Sequence, residues 1–211
     1  MSPKVTILIP NYQTFALTKS CLELIRQKTP ENLYKVIVID NDSQDESLAY
    51  LRTLPWITLL ERKTIPGEKS DQAQARAFDL GLQNVNTPYV LTLHANSRVL
   101  QEDWLNYLIE NIEANPMIAG VGAANIGRRS IWSRLIALFN KASTEEADHV
   151  HHHLDTSCAM YRVDLLRKYG LHFFMEWKTA GKAMHQNLID LGFDVIALPP
   201  LILNKKIVQT L

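Results

Sequence analysis

An α/β fold, with a mostly parallel twisted sheet flanked by helices in a single domain, is predicted by three features of this 211-residue chain. Short Val/Ile-rich runs alternate with stretches of helical period, the pattern of parallel strands joined by crossover helices. No Pro/Gly/Ser-rich stretch divides the chain, and its length suits one sizeable core. The composition, 46% hydrophobic and 21% charged with 22 basic against 22 acidic side chains, is that of an ordinary globular protein. It creates no broad positive field for nucleic acid, so any anion site must be local.

The first strand is read at VTILIP (5–10). FALTKSCLELIRQ (15–27) comes next as a helix with Leu17, Cys21, Leu24 and Ile25 on one face, leaving at Thr29-Pro30. VIVID (36–40) and ITLLE (57–61) are strands two and three, Gln72 to Leu82 a helix, and YVLTL (89–93) strand four. Trp104, Leu105, Leu108, Ile109 and Ile112 form the buried stripe of a helix that stops before Pro116. IAGVGAA (118–124) is a strand whose glycines permit close backbone approach. A polar, histidine-rich excursion then runs to about residue 154. TSCAMYR (156–162) is a strand leading into the helix VDLLRKYG, which Gly170 caps. A last helix runs to Gly192, and FDVIALPP (193–200) closes the core.

Cys21 and Cys158 lie far apart in apolar segments and read as buried thiols in a reducing, cytoplasmic setting. No apolar run approaches the roughly 18 residues of a spanning helix, and the N-terminus does not have the form of a signal peptide. The segment RRSIWSRLIALFNK (128–141) sets six large apolar residues among four basic ones. It reads either as a core-packed amphipathic helix or as one lying on an anionic bilayer. His149, His151, His152 and His153 precede Asp155. Without a helical i, i+4 pair and a fourth ligand, they read as an exposed loop.

In open α/β sheets, ligands bind beyond the carboxyl ends of the strands. That rule selects three tips: Pro10-Asn11-Tyr12, Asp40-Asn41-Asp42-Ser43 and His94-Ala95-Asn96. Together they offer an aromatic face for a base, a carboxylate for a base N–H or ribose hydroxyl, and a polar pair for the groups attached beyond the ribose. Taken singly, the second tip reads better as a turn built on local side-chain hydrogen bonds, and Tyr12 can be a rim aromatic with no stacking partner.

The sequence resembles the family 2 glycosyltransferases through VTILIPNYQTFALTKSCLELI, VIVIDNDSQDES, AFDLG (77–81) and TPYVLTLHANSRVLQEDWL. TSCAMYRVDLLRKYG and LIDLGFDVIALPP extend it more weakly, so that it covers most of the chain. The resemblance implies a GT-A-like, Rossmann-like domain over residues 1–211, with a nucleotide-binding half (1–124) and an acceptor half (125–211). It implies inverting transfer of a sugar from a nucleoside diphosphate donor, most often a UDP-sugar, to a carbohydrate or lipid-linked acceptor. Pro10, Asn11 and Tyr12 would lie by the base, Asp40 against uracil or ribose, and Asp79 where the family usually has an asparagine near the nucleotide.

Two departures stand out. The family's metal motif is a DxD at the end of the fourth strand, where this chain has His94 and Asn96. His94 and Asn96 are the candidate ligands for a divalent metal, Mn²⁺ or Mg²⁺, but an imidazole with an amide is a poorer donor set than two carboxylates, and a neutral His94 would suit Mn²⁺ or Zn²⁺ better than Mg²⁺. The alternative is direct contact between the diphosphate and protein cations, with Lys69, Arg98, Lys178 and Lys182 as candidates. The family's acidic pair for the general base falls at Ala180-Gly181, which leaves Glu176 and Asp155 as candidate bases. Against a transferase stands a second class, a nucleotide-sugar-binding scaffold or regulator that has lost transfer. A nucleotidyltransferase would want a Gly-rich phosphate loop after strand one, and PNYQTF is not one. The chain is short for the resemblance, so a protein partner or a peripheral membrane contact is expected to complete the acceptor side.

Overall fold

The structure, a computed structural model, describes residues 2–124, 153–175 and 180–209. In chain order the elements are β1 (Val5–Asn11), α1 (Phe15–Lys28), β2 (Tyr34–Asp40), α2 (Ser47–Arg52), β3 (Ile57–Glu61), α3 (Ser70–Gln83), β4 (Tyr89–Leu93) and β5 (Ser97–Val99). Next come α4 (Trp104–Glu113), β6 (Ile118–Ala124), β7 (Leu154–Arg162), α5 (Val163–Lys168), α6 (Ala180–Asp190), β8 (Asp194–Ala197), α7 (Pro200–Lys206) and β9 (Ile207–Gln209). Seven strands form one sheet in the order β3-β2-β1-β4-β7-β6-β8, and β5 and β9 form a second, two-stranded one. In the large sheet β7 runs antiparallel to both of its neighbours, and the remaining pairs are parallel.

The central strands are near-continuous hydrophobic runs because both faces are covered. Ile7, Ile9, Val36, Val38, Leu91 and Leu93 point to one side, against Cys21, Leu22 and Ile25 of α1 and Trp104, Leu105 and Leu108 of α4. Leu8, Ile37, Ile39 and Val90 point to the other, against Phe78 and Leu82 of α3 and Met184 and Leu188 of α6. This alternation is the period-2 geometry of a strand buried twice. Gly170 and Gly192, at φ +60 and +84, reverse the chain after α5 and α6. Cys21 and Cys158 are free and buried, and burial pushes each thiol up to about 12.

Three expectations need correction. The buried face of α1 is Thr18, Cys21, Leu22 and Ile25, whereas Leu17 is exposed. Leu17 is one residue out of step with the i, i+3, i+4, i+7 set and turns toward a cavity at the strand ends. Residues 193–200 close the core only in part: Leu198 is buried in it, whereas β8 is a four-residue edge strand with Ile196 exposed. Pro199 and Pro200 then open a further helix, α7, in which proline occupies the first turn, where its missing N–H costs nothing. Nor is α6 the last helix. After α7, strand β9 pairs with β5 from Ser97↔Gln209 to Val99↔Ile207, and Lys206 Nζ binds Asp103 at the start of α4 at 2.6 Å.

The excursion 125–152, including the 128–141 segment and His149, His151 and His152, lies outside the described residues, as do Glu176 and Lys178. No helix among the described residues is long and apolar enough to cross a membrane.

Candidate active site

Parallel pairing in register brings Asn11 and Asp40 side by side at the carboxyl ends of β1 and β2. Both are buried, and their side chains bond to each other. Asn11 Nδ2 donates to Asp40 Oδ1 at 2.7 Å and to Ser43 Oγ at 3.1 Å. Asn11 Oδ1 accepts the hydroxyls of Thr14 (3.0 Å) and Thr18 (2.6 Å). The second oxygen of Asp40 accepts the Ser43 N–H at 2.9 Å. Asp40-Asn41-Asp42-Ser43 is therefore a side-chain-braced turn, with Asp42 in the left-handed region at φ +66, a conformation Asx residues tolerate. Asp40 is 1% exposed and braces the tips from beneath.

Above this brace lies a cavity of about 680 Å³, within the range of small-molecule sites. Its walls include Pro10, Asn11 and Tyr12 from the first tip, Leu17 from the first turn of α1, Asn41 from the second tip, and His94, Ala95 and Asn96 from the turn after β4. Loop Thr64–Glu68 and the first turns of α3, with Ala73 and Gln74, complete it. Tyr12 is 53% exposed at the rim, a free aromatic face.

The β3–α3 loop is held by an ion network. Arg62 Nη2 binds Glu68 Oε2 at 2.7 Å, with the two side chains only 12% and 4% exposed. Arg76 Nε lies 3.2 Å from Glu68 Oε1 as an ion pair, and its guanidinium stacks 3.7 Å over the Phe174 ring. Burial pushes the Glu68 carboxyl up, but the bonds from Arg62 and the Ile65 N–H, with both guanidinium charges, bring it below the usual range.

At the end of β4, His94 Nε2 lies 2.8 Å from Gln74 Nε2 and 3.2 Å from Thr156 Oγ1. With the Gln74 amide assigned this way, its N–H donates to Nε2 and the ring proton sits on Nδ1. Burial holds the His94 pKa below its ordinary value, only partly opposed by the charge of Asp155. The unfolded state therefore takes up more protons at this position as pH falls through the ordinary histidine range near 6.5. Stability contributed here is present above that range and lost below it. Thermal melts at pH 7.5 and 5.5 should show a larger acid-induced drop in Tm for wild type than for His94→Gln; equal drops would refute this.

A hard divalent cation does not fit the residues at this tip. His94 contributes an imidazole whose lone pair is already engaged, and Asn96 an amide, where Mg²⁺ or Mn²⁺ would need several oxygen donors. Among the described residues no group of three or more His, Cys, Asp or Glu is arranged to hold a metal.

The other sequence candidates fall elsewhere. Asp79 does not line the cavity. Its carboxylate accepts the Phe173 N–H at 2.7 Å and the Phe174 N–H at 3.0 Å, pinning the segment after α5. Its pKa is raised by burial, which those N–H bonds only partly offset. Asp155, on β7, borders a separate cavity of about 230 Å³ with Ser97, Asn204 and Gln209, and its Oδ1 accepts the Ser157 N–H at 2.9 Å. Lys69, Arg98 and Lys182 are exposed and absent from the cavity wall. Arg62, Glu68, Gln74 and Thr156 are not among the sequence candidates, although the Pro66-Gly67 turn after ITLLE marks a further loop at the same sheet edge.

A mostly parallel sheet that gathers its strand ends around one cavity, with an antiparallel strand continuing it, has the architecture of the GT-A glycosyltransferases. The structure aligns with the mannosyltransferase PcManGT from Pyrobaculum calidifontis in complex with GDP-Man and Mn²⁺ at a TM-score of 0.68 and 20% identity, covering 94% of this chain and 55% of that one. S. aureus TarS 1–349 in complex with UDP-GlcNAc aligns at a TM-score of 0.63 and 15% identity, covering 93% and 56%. Residues 6–170 match the family described as glycosyl transferase family 2, and the chain belongs to that family. Among curated relatives, the dolichyl N-acetyl-alpha-D-glucosaminyl phosphate 3-beta-D-2,3-diacetamido-2,3-dideoxy-beta-D-glucuronosyltransferase of Methanococcus voltae is 27% identical over 124 residues. That alignment spans 56% of this chain and 38% of that enzyme.

Proposed function

We propose that this chain binds a nucleoside diphosphate sugar, with uridine as the base, in the cavity over β1, β2 and β4. It transfers the sugar to an acceptor hydroxyl with inversion. The observation that carries this reading is the cavity, of about 680 Å³, walled by Tyr12, Asn41, His94 and Asn96 in a family 2 glycosyltransferase. Residues 1–124 would hold the nucleotide, with Pro10 and Tyr12 at the base and Asn11 and Asp40 as the brace beneath. Residues 125–211 would receive a carbohydrate or lipid-linked acceptor, with a protein or membrane partner completing that side.

In the transfer, the acceptor oxygen attacks the anomeric carbon. The bond from that carbon to the diphosphate oxygen breaks, and its electron pair leaves with the nucleotide. The acceptor proton passes to a carboxylate, for which Glu176 is the first candidate and Asp155 the second. No step is routed through a metal, because the donor set at His94 and Asn96 does not suit one.

A second reading, nucleotide-sugar binding without efficient transfer, is favoured by one packing detail. A Cβ at Gly181 would collide with the Leu154 carbonyl, so this position, where the family's acidic pair would fall, is given over to helix–strand contact.

Calorimetric titration of UDP and GDP with and without Mn²⁺, combined with UDP-sugar hydrolysis assays, tests both readings. UDP should bind, and Tyr12→Ala should weaken it roughly fivefold, equivalent to about 1 kcal/mol of aromatic contact. Glu176→Gln should abolish hydrolysis without moving the UDP affinity. Binding without turnover under any metal condition would leave the second reading, and no nucleotide binding would reject both.

A further inference from the structure

Asn41, at the end of β2, is buried among its neighbours yet forms part of the cavity wall. Its Oδ1 accepts the Nε–H of Arg62 at 2.8 Å. Arginine carries N–H donors and no acceptor, so this bond decides which end of the Asn41 amide is oxygen. Arg62 is itself held in place, by Glu68 at 2.7 and 3.3 Å and by the Ala73 carbonyl at 3.4 Å. The amide cannot turn over without leaving a guanidinium N–H facing an NH₂ group.

The NH₂ end has no hydrogen-bond partner among the described residues. Asn11 differs in this respect, since its amide donates twice and accepts twice within the protein. It has little left to offer a ligand. Asn41 thus presents a hydrogen-bond donor of fixed polarity in a cavity wall that also carries the exposed ring of Tyr12.

We propose that Asn41 is the specificity-determining residue for the base, donating its Nδ2–H to an exocyclic keto oxygen. This deepens the proposed nucleotide-binding function and rests on it. Uracil and guanine carry a keto oxygen where cytosine and adenine carry an amino group. An amino group would set donor against donor, leaving both without an acceptor in a partly desolvated site. Sites built around one polar partner reject the mismatched analogue strongly, so UDP binds on the order of tenfold or more tighter than CDP, and GDP tighter than ADP.

The test is titration of UDP, CDP, GDP and ADP into wild type, Asn41→Asp and Asn41→Ser, with folding checked by circular dichroism. Asn41→Asp replaces the donor with acceptors and should bring the UDP-to-CDP affinity ratio to one or below. Asn41→Ser, whose hydroxyl donates or accepts, should bring it toward one. Equal wild-type affinity for UDP and CDP, or a ratio unchanged in both variants, overturns the assignment and leaves nucleotide binding standing. Failure of every nucleotide to bind overturns the nucleotide reading and this assignment together.

Discussion

Replacing Trp104 with alanine should cost about 4 kcal/mol of folding stability, the usual scale for removing a buried indole. Trp104 is fully buried between α4 and the sheet, and its Nε1–H donates to the buried Thr29 hydroxyl at 2.8 Å. That bond ties the exit of α1 to the start of α4, so the substitution removes packing and a polar partner together. Because domains of this size are stable by only about 5–15 kcal/mol, the alanine variant sits close to unfolding. Trp104→Phe keeps most of the ring volume but leaves the Thr29 hydroxyl without the indole donor, and should cost about half as much. Urea denaturation of both variants checks the order; a loss below about 1 kcal/mol for alanine would contradict the packing described.

The second large effect is expected at Arg62. Arg62→Met removes the guanidinium that neutralises Glu68 and fixes Asn41, while its apolar stem still fills the space. Breaking a buried ion pair on one side generally costs about 3–5 kcal/mol. Here Arg76 stays 3.2 Å from Glu68 and still pairs with it, so about 2–3 kcal/mol is expected. The double variant Arg62→Met/Glu68→Leu should recover much of that loss, because it leaves no unpaired carboxylate. If the double variant is less stable than the single one by urea denaturation, the network is not acting as a compensated buried charge cluster.

The architecture was legible where one periodic signal decides it. The runs around Ile7, Val38 and Leu91 could be read as central strands because each is covered on both faces, and the α4 stripe because five apolar residues share one helical face. The tips came from the rule for open sheets, and the cavity does bring Tyr12, His94 and Asn96 together. The features that escaped depend on partners distant in sequence. Asp79 looks like a ligand-facing carboxylate until Phe173 and Phe174 supply the N–H groups that occupy it. One oxygen of Asp40 is likewise taken by Asn11, 29 residues away in the sequence. The role of Asn41 is visible only once Arg62 stands beside it. Strands β5 and β9, three residues each, are too short for any period to show.

The pairing of β5 with β9 has a temporal consequence. The turn bearing His94 and Asn96 leads straight into Ser97–Val99, whose ladder partners are Ile207–Gln209. During biosynthesis, the ribosome releases that turn long before the strand that clamps it. Strands β1 to β4 are all released earlier and can pair before that clamp exists, whereas the ladder behind the cavity-facing turn closes only once β9 is available.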